Sequence, residues 1–412
     1  MGVTGLAWRL LWARPLTASL NLLLLTLGLA SIGFLTLVRD QVDRAFERDL
    51  AGIDAVVGAK GSPLQLILAG VFHLDVPPGN VSLADLNRHV VAHPQVAQVI
   101  PLSLGDNWQG HRIVGTTTDY LTHYRAVLAD GALWTRPMQA VLGADVARRT
   151  AATPGQAFVG AHGLGAGGAV HGDTPYTVTG VLAPCRCVLD RLVLTATESV
   201  WQVHDDMHAD PGMTESDRAD LKAALDADRE VTLALVRYRT PLAAASFPRF
   251  VNSDTPMQAA APAVEITRLL GLIGVGTQVL RALAATLLLV AALSVFIALW
   301  GAVRERRADL ALLRMLGAPP RRVAVLLLTE SLCLAALASV LALVAAQGLV
   351  ALAGTWWADG SAAVVLQAGE WPPALAWVPV LAATVAVLAA ALPALGAYRV
   401  DVQTLFNPRT SP

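Results

Sequence analysis

Three short stretches of this sequence combine residue types and spacings that suit chemistry. His204-Asp205-Asp206-Met207-His208-Ala209-Asp210 sets two histidines four apart, with carboxylates between and beyond them. On a helix that spacing puts both imidazoles on one face, as a divalent cation requires. The plainer reading is a solvated acidic loop ahead of Pro211-Gly212. Cys185-Arg186-Cys187 offers two thiols for ligation or oxidation, but closing a ring across one residue is strained. Two small buried residues in a strand turn are therefore expected there. In Gly58-Ala59-Lys60-Gly61-Ser62-Pro63, Gly58 and Gly61 flank the single Lys60. Backbone N–H groups and charge at such a turn suit an anionic headgroup; a tight turn that begins a helix is the alternative. His73, His89, His93, His111, His123, His162 and His171 are scattered and are expected as surface or capping residues. No nucleophile–base pair or carboxylate dyad follows from spacing. No G-x-x-x-x-G-K-[ST] loop occurs, so the chain is not expected to be an enzyme, and any ATP hydrolysis belongs to a separate subunit.

The elements that must position these residues are dominated by apolar runs. Of 412 residues, 55% are hydrophobic and only 15% charged, which points to an integral membrane protein. A net charge of −1 gives no reason to expect nucleic acid as a partner. Three cysteines are too few for a disulfide framework, and Cys333 sits in an apolar run as core. A bilayer-spanning helix needs about 20 apolar residues. Four stretches reach that length: 16–38, the later part of 264–303, 323–353 and 374–398. A signal peptide competes for the first, but its apolar run is longer than the roughly 7–15 residues of a signal core. It is read as a retained membrane helix behind a basic, tryptophan-containing lead-in, 1–15.

Between the first two spans, residues 39–263 hold no membrane-length run. Turn signals recur there (Val76-Pro77-Pro78-Gly79-Asn80, His93-Pro94, Gly160–Gly172, Ala183-Pro184). Strand-like pieces lie at Val96–Pro101, Arg112–Gly115, Tyr176–Leu182, Arg191–Thr195 and Val231–Tyr238, and helical pieces at Leu83–His93 and Ser216–Ala227. The fold class expected is an α-helical membrane protein with four transmembrane helices and a large α+β extracytoplasmic domain between helices 1 and 2. Arginines crowd 304–322, whereas 354–373 holds Asp359 and Glu370 and no basic residue. The positive-inside rule then places the N-terminus, 304–322 and the tail 399–412 in the cytosol, and the large domain and 354–373 outside. Residues 264–303 read as one helix of stalk plus span.

Arg304-Glu305-Arg306-Arg307-Ala308-Asp309-Leu310-Ala311-Leu312-Leu313-Arg314-Met315-Leu316-Gly317 reads as a charged start followed by a short amphipathic helix that stops at Gly317 before Pro319-Pro320. This wording, at this place, resembles the loop between the second and third membrane helices of FtsX/MacB/LolC-type ABC transporter permeases, the mechanotransmission or type VII family. Leu392-Pro393-Ala394-Leu395 extends the resemblance, and Pro319-Pro320 departs from it. Val57–Leu68 with His73-Leu74-Asp75 and Gly79-Asn80 resembles a subset of poorly defined cargo. The resemblance implies an inner-membrane permease, in a homodimer or permease pair, joined to a cytosolic ABC ATPase that supplies ATP and magnesium chemistry. It implies that Arg304, Glu305, Arg306, Arg307, Asp309, Leu310, Leu312, Leu313, Arg314, Leu316 and Gly317 contact that ATPase. It also implies a periplasmic or lipoprotein partner, membrane lipids, and cargo such as lipoprotein, amphiphile or peptide. A zinc-handling system and an FtsX-like signalling platform are the rival expectations; zinc would engage His204 and His208, in a loop that is often His-rich in the resembling subset.

Overall fold

The structure is a computed structural model that describes residues 5, 7–9, 12–13, 15–163, 174–208, 224–226, 228–305, 320–356 and 366–398. The chain divides into two compact units. One comprises Met1–Val42, Ile273–Trp356 and Leu366–Pro412, and the other Asp43–Leu272 and Trp357–Val365.

The helical unit contains the apolar runs. Among the described residues, four helices are long and apolar enough to cross a membrane: Pro15–Leu50, Gln278–Gly301, Ala324–Trp356 and Pro373–Leu395. They belong to helices α1 (Pro15–Leu50), α7 (Pro262–Glu305), α8 (Pro320–Trp356) and α9 (Trp377–Tyr398). Small residues let these helices approach closely, as is usual where apolar side chains gain nothing by leaving lipid. A Cβ on Gly28 would meet Leu288 at 3.2 Å, and one on Gly33 would meet the Ala346 Cβ at 3.1 Å. Ala338, Ala342, Ala346 and Val350 form a buried stripe on α8, facing a protein interior rather than lipid. Ser294 donates to Asn21 Oδ1 at 2.6 Å, satisfying a buried amide between α1 and α7. The first helix continues past the apolar run that ends at Val38. Its last dozen residues carry Arg39, Asp40, Asp43, Arg44, Glu47, Arg48 and Asp49.

The other unit is α+β. Its strands, in chain order, are β1 (Ala55–Ala59), β2 (Val81–Ser82), β3 (Val96–Trp108), β4 (His111–Thr116), β5 (Leu128–Gly131), β6 (Gln139–Leu142), β7 (Ala157–Phe158), β8 (Ala161–His162), β9 (Tyr176–Leu182), β10 (Val193–Ala196), β11 (Glu230–Val231), β12 (Leu233–Tyr238) and β13 (Met257–Ala260). Its helices are α2 (Pro63–Gly70), α3 (Thr118–His123), α4 (Ala144–Thr150), α5 (Thr197–His208) and α6 (Ala243–Asp254). Among the described residues, eleven strands form one mixed sheet, ordered β13-β1-β12-β3-β4-β10-β6-β9-β5, with β8 paired to β3 and β7 to β9. β4–β10 and β6–β9 are parallel; the other ladders are antiparallel. Because side chains alternate across a strand, neighbouring residues fall in different cores. Val56, Leu102, Val114, Val141 and Leu194 pack on one face with Leu66 and Tyr120. On the other face, Val57 and Val236 pack with Phe247 of α6, and Ile113, Leu142 and Val193 with Val146 of α4 and Val203 of α5.

Several predicted elements differ in extent. The strand expected at Val96–Pro101 runs on to Trp108, and the helix expected at Leu83–His93 is an α-helical turn, Leu83–Leu86, that widens to π geometry over Asn87–Val91. Of the helix expected at Ser216–Ala227 only 224–226 are described, and they are helical. The cysteine expectation is corrected: Cys185 and Cys187 form a disulfide. Arg186 between them takes φ 56°, which turns the chain tightly enough to bring the sulfurs together. The Asp190 carboxylate fixes that turn by accepting from the Cys185 and Arg186 N–H groups at 3.0 and 2.7 Å.

Candidate functional site

The site is built where a long strand, a two-residue strand and a helix meet. On β3, Leu104 packs in the core shared with Leu102, whereas Trp108 packs with Val203 of α5 on the opposite face. Strict alternation would keep these even-numbered residues together. The register with β4 shifts between Leu104 and Asp106, which leaves Gly105 as the irregular residue. That bulge reverses the facing of everything after it. Asp106 is thereby turned toward α5 and is 1% exposed.

β8 brings the second residue. His162 is the register partner of Asp106, and its Nδ1 lies 3.4 Å from Asp106 Oδ1. This strand is clamped from both sides: Asn107 Nδ2 donates to the carbonyls of Ala161 and Gly163 at 3.2 and 2.9 Å, and the Gly163 N–H donates to the Gly105 carbonyl at 2.7 Å. The third residue comes from α5, whose Val200 and Val203 are buried and place His204 on the sheet-facing side. His204 Nδ1 donates to the Val200 carbonyl at 2.7 Å, which turns Nε2 toward β3. That nitrogen lies 3.7 Å from where a Cβ on Gly105 would be. One ligating atom from each of Asp106, His162 and His204 falls within 4.8 Å of the others. The imidazole rings are 5.7 Å apart, centre to centre.

His204 also lines a cavity of about 300 Å³ with Trp201, Asp205, Asp228, Arg229 and Glu230. Arg229 holds Asp205 in a two-pronged ion pair at 2.7 and 2.8 Å and lies 5.1 Å above the Trp201 ring, so the wall is a fixed charged surface. The Trp201 Nε1–H donates to the Glu230 carbonyl at 2.7 Å.

The other sequence-predicted residues are elsewhere. Gly58 is buried in β1, where a Cβ would meet Leu66 Cδ2 at 2.6 Å, so its smallness serves the packing of α2 on the sheet. Lys60 is exposed. The Gly61 N–H donates to Gln258 Oε1 at 2.7 Å, and Ser62 caps α2 by accepting from the Gln65 N–H. His208 is the last residue of α5, and its side chain lies outside the described residues. Arg304 and Glu305 end α7, again without described side chains. Arg306, Arg307, Asp309, Leu310, Leu312, Leu313, Arg314, Leu316 and Gly317 lie outside the described residues.

His162 and Asp106 were not legible as site residues. His162 is expected from sequence as a surface or capping residue; the β3–β8 pairing puts it beside His204. Near the opposite core, His73 is fully buried with Nε2 3.0 Å from the Tyr120 hydroxyl. Desolvation, with Arg112 and Arg191 nearby, holds its pKa well below the ordinary imidazole value.

The FtsX-like permease C-terminal family matches residues 281–402, and the MacB-like periplasmic core domain family matches residues 18–203. Among solved structures, the chain is similar to the periplasmic region of MacB from Actinobacillus actinomycetemcomitans. That match has 11% identity and a TM-score of 0.34, and covers 53% of this chain and 95% of that one. It is also similar to a domain of a putative permease protein from Porphyromonas gingivalis, with 12% identity, a TM-score of 0.26, and coverage of 50% and 86%. No curated protein matches.

Proposed function

Because this chain is an FtsX/MacB-type ABC transporter permease, we propose that it passes ATP-driven movement from a separate cytosolic ATPase to its α+β domain across the membrane. The observation that carries this reading is α7. It begins two residues after β13, the strand bonded to β1 at the sheet edge, and runs unbroken from Pro262 to Glu305. Its 44 residues correspond to about 66 Å at 1.5 Å per residue, roughly twice the thickness of a hydrocarbon core. It contains the candidate span Gln278–Gly301 and ends where the arginine-rich segment starts. One continuous helix is the simplest element by which movement at one end could be passed to the other.

In this reading the segment Arg304–Gly317 docks on the ATPase, two permease copies pair with two ATPase copies, and the termini lie in the cytosol at the inner membrane. The domain acts on lipoprotein, amphiphile or peptide cargo. A second reading, a metal-handling ABC system, is favoured by the Asp106–His162–His204 cluster.

The test is reconstitution of the full chain with its cognate ATPase in lipid nanodiscs, with a spin-label pair across the α+β domain. ATP should shift the label distance in the wild type. Leu313→Asp, Gly317→Pro, or a Gly-Ser-Gly-Ser insertion after Gly276 should retain membrane insertion and lose the shift. Unchanged label movement in all three variants overturns the coupling reading.

A further inference from the structure

We propose that Asp106, His162 and His204 form a binding site for a single divalent ion of the zinc class. The inference concerns the α+β domain alone. It deepens the metal-handling reading without depending on ATPase coupling, since it predicts binding by this chain in isolation.

The ligand set selects the class. Two imidazoles and one carboxylate are a borderline set, suited to zinc and its neighbours and poorly suited to calcium or magnesium, which take all-oxygen shells. The distances are close to what such an ion needs. Metal–ligand bonds of about 2.0–2.1 Å in a tetrahedron separate neighbouring ligand atoms by about 3.3–3.4 Å. Asp106 Oδ1 and His162 Nδ1 already stand at 3.4 Å, and no pair among the three exceeds 4.8 Å.

The supporting groups have the arrangement seen around bound metals. A ligating histidine is oriented when its other ring nitrogen donates to a carbonyl or carboxylate. His204 does this through Nδ1 to Val200. Asp106 and His162 stand opposite each other in a hydrogen-bonded strand pair, and Asn107 pins the strand that carries His162. The donors therefore come from rigid elements, which keeps the cost of assembling them low. Asp106 is almost wholly buried, a setting in which a carboxylate is retained against a positive partner.

Three protein ligands leave one position of a tetrahedral ion open. His204 lines the 300 Å³ cavity whose wall also carries Asp205, Asp228 and Glu230. His204 therefore connects the cluster to this cavity, whose wall also carries Arg229 in its ion pair with Asp205.

The experiment uses the full chain, purified in detergent without a histidine tag and stripped with a chelator. Zinc chloride is titrated against a chromogenic chelator, and cobalt(II) serves as the spectroscopic probe. The wild type should hold one zinc equivalent more than His162→Ala/His204→Ala and should show the intense visible bands of four-coordinate cobalt. His89→Gln should bind as the wild type does. A second readout needs no variant: zinc should slow diethyl pyrocarbonate modification of His162 and His204, read by peptide mass spectrometry, while leaving His89 unaffected. Equal zinc stoichiometry in wild type and double variant overturns the site. So does modification of His162 at the same rate with and without zinc.

Discussion

Gly58→Ala tests whether this glycine serves packing or ligand approach. The added Cβ would lie 2.6 Å from Leu66 Cδ2 and 3.3 Å from Leu233 Cβ, with the Thr232 carbonyl at 3.4 Å. Leu66 and Leu233 are both fully buried, so neither can swing into solvent to make room. Overpacking of this kind costs about 1–3 kcal/mol. Replacing glycine in a strand returns roughly 0.5–1 kcal/mol by lowering unfolded-chain entropy. A net loss of about 1–2 kcal/mol is expected, which for a unit of this size lowers the melting temperature by about 2–8 °C. Leu66→Ala removes the clashing atom at its own cost of about 2–5 kcal/mol. In that background Gly58→Ala should be nearly neutral, giving a coupling energy of about 1–2 kcal/mol. The assay is thermal unfolding of the full chain in detergent, followed by tryptophan fluorescence, for all four members of the cycle. Additive melting shifts, or a Gly58→Ala chain as stable as the wild type, would refute the packing account.

Three further outcomes follow from the buried His73 and from the disulfide. His73 is held neutral in the folded chain, with its pKa well below the unfolded value of 6.5; the unfolded chain therefore binds the proton first, and stability present above pH 6.5 is lost as pH falls. His73→Gln should flatten the decline of melting temperature between pH 7 and 5, and an equally steep decline in the variant would remove His73 as a cause. Alkylation of the unreduced, denatured chain should label Cys333 alone and, after reduction, all three cysteines, whereas three labels before reduction would contradict the disulfide. Because the ring is so short, Cys185→Ser/Cys187→Ser should lose only about 1.5 kcal/mol, visible as a small melting shift.

The membrane half of this protein was legible from sequence because its cause is local. A run such as Leu16–Val38 is apolar in its own right, and each spanning helix satisfies its backbone internally. Strand β9 was legible to the residue because alternation and flanking turns are also local signals. The end of α1 was not: after Val38 the chain turns polar, yet the helix continues to Leu50, where Asp49 Oδ1 accepts from the Val188 N–H. Its length depends on a partner far away in sequence. The cysteine pair was misjudged for a different reason, since Asp190 lies close by in sequence and only its hydrogen bonds to the Cys185 and Arg186 N–H groups are invisible in the spacing. Spacing alone made the ring look costly, and only the fold supplies the carboxylate of Asp190 that holds the turn.

The candidate site divides along the same line. The sequence by itself determined that the chain carries four apolar spans around an α+β domain, while it left 204–208 open between a helix with ligand-like histidine spacing and a solvated acidic loop. Only the tertiary structure decided that His204 meets Asp106 and His162. That meeting depends on a bulge at Gly105 that reverses the facing of β3, and on β8 folding back against it. A one-residue slip of register moves every later side chain to the other face of a sheet. The bulge lies in the hairpin of β3 with its neighbour β4, but the meeting with His162 needs β8 to pair with β3 from far along the chain, and no local pattern of residues records that pairing.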